Sequence, residues 1–343
     1  MGQIEFYKPT ITRKDMDSVL QTLVDEHIGP GQKRRLLIER LCAFLCLRDG
    51  VALRAVPGAI REAFSLAGLE SGAKIAVSAL APSLYATVAR ESGFEVIVCD
   101  IDRENGCLGI ESAAAAVGEG ARALVVHDPY GSIPYALDYR QFGLPVIEDV
   151  TQSIGSVREQ VTAGSAGDIV ICAMEEDDPV SAAGGAFVGV KTKELADRLG
   201  EMAGPERHWQ DLPDLNCALA LVQLDNLPDR TARRREIFAA YCQSLQQTDH
   251  RLFGMASIDF EPNGAYFPVL LDSRPSDVIK FALKYSVPVE MAFRDVVGFS
   301  MTEDFDRLPG AIPYILRGVL FPIYPFLTRG EIESVSRVIS HLP

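Results

Sequence analysis

The chain has 343 residues, 48% of them apolar, which is enough for a large core and suggests one large domain with a smaller one beside it. Its net charge of −14 argues against nucleic acid or an anionic membrane surface as a partner. Seven scattered cysteines are typical of a reducing cytosol, and no apolar run approaches the roughly 18 residues of a membrane span, so we expect a cytoplasmic protein.

Helical patterns and short apolar strands alternate through the first half of the chain. Residues 34–47 have helical periodicity, and the segments 58–80, 83–102 and 111–150 each predict a helix followed by a strand. The run GDIVIC, which ends at residue 172, predicts one more buried strand. Strands separated by helices of this length predict right-handed crossovers and a mainly parallel sheet of about seven strands.

The second half predicts a connector and a smaller unit. Residues 217–247 are helical on either side of Pro228, which is expected to break or kink the helix. Beyond it the pattern predicts a strand at 266–271, a helix at 276–286, a strand at 287–293 and a final helix at 328–342. We therefore predict a large α/β domain over residues 1–240 and a small α+β domain over 241–343.

Polar residues that follow the predicted strands are the candidates for a site, because ligands of parallel sheets lie beyond the carboxyl ends of the strands. They are Asp100, His127, Asp149 and the loop 173–178. In IEDVTQSIGS, Asp149 and Gln152 could pair with a ring nitrogen and a neighbouring oxygen of a bound heterocycle. The simpler interpretation is that Asp149 caps a following helix and that His127 bonds a backbone carbonyl.

The loop AMEEDDPVSAAGGAFV carries four consecutive carboxylates, Glu175 to Asp178, where the chain leaves a buried strand. A solvated acidic loop without a ligand is the simplest interpretation. A divalent metal would require further oxygen ligands, so we predict no metal site.

The order and spacing of several motifs resemble those of the DegT/DnrJ/StrS sugar aminotransferases, over nearly the whole chain. The motifs are GPGQKRRLLIERLCAF, GFEVIVCDID with VVHDPYG, IEDVTQSIGS, GDIVICAM followed by GGAFVGV, ALALVQLDNLPDRTARRREIFAAYCQSL, and LFPIYPFLTRGEIESV. The resemblance implies a fold-type I, aminotransferase-like protein related to enzymes of nucleotide-sugar metabolism in polysaccharide and deoxysugar biosynthesis. It also implies a homodimer, because the family builds each site from two chains, and a sugar as a possible ligand.

For the cofactor, pyridoxal phosphate, the resemblance implies specific residues. In the family, the residue that corresponds to Asp149 pairs with the pyridine nitrogen of the cofactor. The residue that corresponds to Gln152 lies near the phenolic oxygen of the cofactor. Several other positions depart from the family pattern. Asp178 stands where the resemblance places the Schiff-base lysine, and residues 75–190 contain no lysine at all.

The phosphate-binding pattern is also lost. Ala173-Met174 replaces a Ser-Phe pair whose serine holds the phosphate, and Ala55-Val56-Pro57, or Pro57-Gly58-Ala59 in another register, replaces Ser-Gly-Thr. The stacking aromatic falls on Pro82, and an Asn-x-Arg pair falls on Trp209 and Asp211. A carboxylate ~5 Å from a phosphate costs on the order of 3 kcal/mol at an effective dielectric of ~20. We therefore expect no covalently bound cofactor and at most weak binding of pyridoxal or pyridoxamine phosphate.

Three functions remain open from the sequence. The first is a homologue without transaminase activity, with a binding, regulatory or partner-subunit role. The second is a lysine-independent enzyme that uses pyridoxamine phosphate, in which Asp178 would move a proton. The third is an active sugar aminotransferase with an unusual site.

Overall fold

The structure is a computed structural model that describes residues 4–135, 138–204, 207–254, 260–301, 303–304 and 306–343. Residues 1–3, 136–137 and 205–206 of the predicted large domain therefore lie outside the described residues, as do 255–259, 302 and 305 of the predicted small one.

The strands are β1 Asp49–Leu53, β2 Lys74–Ser78, β3 Glu95–Cys99, β4 Ala121–His127, β5 Val146–Asp149, β6 Val157–Arg158, β7 Val161–Thr162, β8 Ile169–Ala173, β9 Ala186–Val190, β10 Arg251–Leu252, β11 Phe260–Glu261, β12 Phe267–Leu270, β13 Glu290–Met291 and β14 Gly318–Phe321. The helices are α1 Arg13–Val24, α2 Gln32–Phe44, α3 Val56–Leu66, α4 Ser83–Glu91, α5 Ile110–Gly118, α6 Lys193–Glu201, α7 Arg207–Gln210, α8 Asp214–Asp225, α9 Leu227–Leu245, α10 Pro275–Lys284, α11 Ala311–Arg317 and α12 Arg329–Ile339. Short 3₁₀ turns lie at Pro129–Gly131, Asp138–Phe142 and Val297–Met301.

The large sheet has seven strands in the order β1-β9-β8-β5-β4-β2-β3. Five neighbouring strands of this sheet, β8, β5, β4, β2 and β3, run parallel to one another. Strand β9 is antiparallel to both of its neighbours, β1 and β8. The expected mainly parallel, seven-stranded sheet is thus confirmed. Because five of these strands are parallel, the ends of β4, β5 and β8 lie at one edge of the sheet.

Helices cover both faces of this sheet, which explains the continuous apolar character of its central strands. Ile171 belongs to the apolar cluster that includes α3, whereas its neighbour Cys172 belongs to the cluster formed with α2 and α8. Every residue of β8 and β9 is buried.

The second sheet, in the order β10-β12-β14-β13, is antiparallel throughout and packs on α9 and α12. The predicted strand 287–293 pairs only at Glu290–Met291, because it is an edge strand with one short partner. The strand β14 was not predicted.

The break at Pro228 is confirmed, since α8 and α9 are separate helices with this proline near the start of α9. Helix α9 continues across the predicted boundary at residue 240, and the division into two domains stays a prediction. Within the described ranges, no helix is long and apolar enough to span a bilayer.

Candidate functional site

A buried histidine–aspartate pair lies at the ends of β4 and β5. His127 is the register partner of Asp149, and its Nδ1 donates to Oδ2 of Asp149 over 3.2 Å. Burial by itself would raise the pKa of Asp149, but hydrogen bonds from His127 and Thr151 outweigh it and lower that pKa. Asp149 is therefore a buried carboxylate at neutral pH, with His127 held in a fixed orientation.

Thr151 donates hydrogen bonds to the other carboxylate oxygen of Asp149. Its backbone N–H and its hydroxyl donate to Oδ1 over 3.0 and 2.5 Å, and the hydroxyl accepts the N–H of Ala173 over 2.8 Å. The segment after Asp149 is a turn and not a helix, so Asp149 closes a turn where a helix cap was the simpler expectation. Sequence reasoning missed Thr151, although a polar residue two positions after an aspartate is the signal for such a turn.

Gln152 is held by an unusual backbone conformation. Its Oε1 accepts the N–H of Tyr130 over 3.0 Å. The backbone of Tyr130 lies in the left-handed helical region, with φ 51° and ψ 40°. The Tyr130 hydroxyl donates to the carbonyl of Ala292, which fixes the ring against the second sheet. Within the described residues, the amide nitrogen of Gln152 has no protein acceptor, so it is available to donate to a ligand.

The acidic loop is closed by one of its own carboxylates. Oδ2 of Asp178 accepts the N–H of Glu175 over 2.7 Å, and Asp178 is partly buried while Glu175, Glu176 and Asp177 are exposed. Burial raises the pKa of Asp178 to about 8, and the charges of Asp177, Asp149 and Glu175 raise it further against the hydrogen bond. The full negative charge that the sequence analysis assigned to Asp178 is therefore reduced at pH 7.

Two consecutive glycines return this loop to β9. Gly184 and Gly185 have φ values of 118° and 104°, and the N–H of Gly184 donates to the carbonyl of Met174. A Cβ on Gly185 would lie 2.6 Å from Leu212 and 2.8 Å from the carbonyl of Leu53. Only glycine fits at Gly185, so the GG pair has a steric role in shaping the loop.

Two adjoining cavities meet at Tyr130, Gln152 and Ala292. One, of about 310 Å³, is lined by Gln152 together with Asp177 and Asp178. The other, of about 230 Å³, is lined by Gln152 together with His127 and Pro82. The structure thus brings Gln152 and Asp178 to one cavity, whereas Asp149 lines neither of the two.

Two residues at expected phosphate-binding positions line a cavity that is separate from the two beside Gln152. Ala55 and Pro57, at the start of α3, line a separate cavity of about 740 Å³ together with Trp209, which is 77% exposed. Ala55 offers no side-chain hydrogen bond to the helix start. Ala55 and Pro57 therefore do not line the cavities beside Gln152.

The lysines nearest in sequence lie at the opposite edge of the sheet. Nζ of Lys191 donates to the carbonyl of Ser165 over 2.7 Å, and Nζ of Lys74 donates to that of Glu119 over 3.1 Å. Among the described residues, no lysine lines either cavity beside Gln152.

The remaining polar candidates have structural partners. Asp100 accepts the N–H groups of Gly310 and Ala311 at the start of α11. Asp211 pairs with Arg34 over 3.2 Å. Within the described part of the chain, no group of three or more His, Cys, Asp or Glu residues could hold a metal ion.

The GPG segment at 29–31 precedes α2, and Asp214 occupies the helix start. Its carboxylate accepts the N–H groups of Gly31, Lys33 and Arg34 over 2.9 to 3.0 Å. A carboxylate side chain of the protein therefore takes the place that an anion would occupy at this helix start.

Comparisons with known proteins agree with this architecture. The model of the DegT/DnrJ/EryC1/StrS aminotransferase family matches residues 9–340. The chain belongs to this family. It is 23% identical to the spore coat polysaccharide biosynthesis protein SpsC of Bacillus subtilis, with 96% of this chain and 95% of SpsC covered. It is 22% identical to the UDP-4-amino-4,6-dideoxy-N-acetyl-beta-L-altrosamine transaminase of Campylobacter jejuni, with 90% of this chain and 88% of that protein covered.

Solved structures of the family share the fold. The sugar aminotransferase CalS13 from Micromonospora echinospora superposes with a TM-score of 0.86 at 18% identity, covering 98% of both chains. The PLP-form of Spr1654 from Streptococcus pneumoniae superposes with a TM-score of 0.89 at 15% identity, covering 99% of this chain and 98% of that one. The fold-type I aminotransferase-like fold is thus confirmed, and the protein is related to sugar aminotransferases.

Proposed function

We propose that this protein is a family member without transaminase activity, which keeps the scaffold to bind a small molecule in sugar or polysaccharide biosynthesis. One observation carries the proposal. Asp178 lines the cavity beside Gln152, while Lys74 and Lys191 are engaged with carbonyls at the far edge of the sheet. A carboxylate cannot form a Schiff base, so none of the described residues that line the cavities beside Gln152 can perform the defining step of the family's chemistry.

The residues around the cavities do not fit pyridoxal phosphate. A protonated ring nitrogen would need an oxygen of Asp149, but Asp149 lines neither of the two cavities beside Gln152. A phosphate needs hydroxyls, backbone N–H groups or cations, and the N–H of Ala173 is already donated to Thr151. We therefore derive no reaction step through this cofactor.

Treatment with pyridoxal phosphate and borohydride, followed by peptide mass mapping, tests the proposal. We expect no absorbance of an internal aldimine and no pyridoxyl-lysine peptide. The variant Asp178→Lys serves as the comparison, because it restores an amine at this position without restoring the phosphate site. A specific pyridoxyl-lysine adduct in the unmodified protein would overturn the proposal.

Cofactor affinity gives a second measurement. Adding Ala173→Ser to Asp178→Lys should improve binding of pyridoxal phosphate by about one hydrogen bond to a charged group, or roughly 1.5–3 kcal/mol. Transamination should remain absent in Asp178→Lys alone. Titration followed by absorbance measures both variants and the unmodified protein.

The raised pKa of Asp178 favours a second candidate, the lysine-independent enzyme. A carboxyl group with a pKa of about 8 can donate or accept a proton near neutral pH. Tight binding of pyridoxamine phosphate by the unmodified protein would favour this candidate over the first.

We also propose that the protein is a homodimer. Apolar side chains on one face of α1 support this, since Met16, Leu20 and Val24 are 51%, 56% and 74% exposed. Sedimentation at micromolar concentration should give a dimer, and a stable monomer would refute it.

A further inference from the structure

The cavity of about 310 Å³ beside Asp178 has an unusual combination of walls. Its size falls at the lower end of small-molecule sites. Five of its lining side chains are aromatic and three are acidic, and within the described residues none of them is lysine, arginine or histidine. The aromatic ones are Phe6, Tyr7, Tyr130, Tyr266 and Phe321, and the acidic ones are Asp177, Asp178 and Glu290.

The aromatic walls are held in place by contacts of their own. The rings of Tyr130 and Tyr266 lie with their centroids 5.2 Å apart. The Tyr7 hydroxyl donates to the carbonyl of Glu176 over 2.5 Å, which attaches the N-terminal segment to the acidic loop. These contacts involve four distant parts of the chain around one space, so the cavity is built by the fold and is more than a cluster of acidic residues.

Aromatic faces and carboxylates attract the same kind of group. The negative faces of aromatic rings attract ammonium groups, and a cage of aromatic rings is the typical receptor for quaternary ammonium ligands. The second oxygen of Asp178 is not used by the loop, because only Oδ2 accepts the N–H of Glu175. The amide nitrogen of Gln152, also on the cavity wall, can donate to a hydroxyl or carbonyl oxygen of the same ligand.

From this geometry we propose that the cavity binds an organic ammonium compound that carries a hydroxyl group. The ammonium group lies against Asp178 and the tyrosine rings, and the hydroxyl accepts from Gln152. The inference rests on the proposed binding function and names the class of ligand for that site.

The titratable groups around Asp178 are acids, which favours a cationic ligand at this position. The titratable groups that face it are Asp177 and Glu175 of its own loop, Asp149 on β5, Cys172 on β8, and the hydroxyls of Tyr7 and Tyr266. The buried Arg234 lowers the pKa of Tyr7 but does not line the cavity. A bound ammonium group would favour the ionised form of Asp178 and release its proton.

Choline and its uncharged isostere 3,3-dimethylbutan-1-ol are the probes for calorimetry, since they share shape and hydroxyl and differ in charge. Choline should bind at least about tenfold more tightly, as one charge-assisted contact implies. Binding at pH 7 should release protons. The measured binding enthalpy should therefore differ between buffers that have different ionisation enthalpies. Choline affinity should rise with pH up to about 8, by at most about tenfold per unit, because the ionised form binds.

Variants distinguish binding in this cavity from a general effect of the negative charge of the loop. Asp178→Asn keeps the acceptor for Glu175, and it should weaken choline binding about tenfold and abolish both proton release and the pH dependence. Tyr266→Leu keeps an apolar wall without an aromatic face, and it should weaken binding about threefold to thirtyfold. Glu176→Gln is the matched control, because this side chain belongs to the same loop, is exposed and does not line the cavity.

Equal binding of choline and the isostere, or no binding of choline, would overturn the inference. So would an effect of Glu176→Gln as large as that of Asp178→Asn. A thermal melt of each variant identifies unfolding, and Tyr266→Leu provides an independent measurement if Asp178→Asn is unstable. A pyridoxyl-lysine adduct would refute the proposed function, whereas absence of choline binding without an adduct would refute only this inference.

Discussion

The raised pKa of Asp178 makes a quantitative prediction about stability and pH. In the folded protein this pKa is about 8, above its ordinary value of 3.8. Between these two values the folded state holds a proton that the unfolded state has lost. The free energy of unfolding therefore falls as pH rises from about 4 to about 8, by up to about 1.4 kcal/mol per unit.

The substitution Asp178→Asn removes this titration and keeps the hydrogen bond from Glu175. From pH 5 to pH 8 the wild type should lose stability relative to the variant, with a ceiling of about 4 kcal/mol from three pH units. Because Asp178 is only partly buried and solvent screens its charge, we expect roughly 1–2 kcal/mol.

Urea denaturation at pH 5, 6.5 and 8 measures the difference in the free energy of unfolding between the two proteins. The contributions of the other titrating groups cancel in this difference. Glu176→Gln is again the control, since it removes an exposed carboxyl of the same loop. Parallel profiles for wild type and Asp178→Asn would refute the argument, because they would mean that the carboxyl of Asp178 titrates alike in the folded and unfolded chain.

Three further substitutions test the local geometry by urea denaturation or thermal melting. Thr151→Val removes one donor to Asp149 and the acceptor of Ala173, and should cost about 1–3 kcal/mol; a neutral result would mean that water replaces both contacts. Gly185→Ala should cost at least about 1–3 kcal/mol through its positive φ, whereas the control Gly58→Ala, with open space around it, should be neutral or stabilising. Asp214→Ala should cost about 1–2 kcal/mol by leaving the first N–H groups of α2 without their acceptor, and an unchanged melting temperature would contradict this role.

Regular features of the chain could be predicted because they repeat along the sequence. Alternation of helical periodicity and apolar runs indicates a parallel sheet from local patterns alone, and the order of motifs indicated the family. The absence of lysine between residues 75 and 190 is likewise a property of the sequence. Strand β14 was missed because Gly318–Phe321 follow helix α11 directly, so no turn marks them as a separate apolar run.

The tertiary structure decided the environment of each polar group. Whether Asp178 is charged depends on its burial and on Asp149, which is 29 positions earlier in the chain, and no local pattern encodes that proximity. The aromatic wall joins Tyr7, Tyr130 and Tyr266, which come from distant segments and lie close together only when the sheets and the N-terminal segment have packed. Sequence alone thus determined which residue types are present and which are missing. Folding determined which of them face one another, because pKa and affinity depend on distances across the fold.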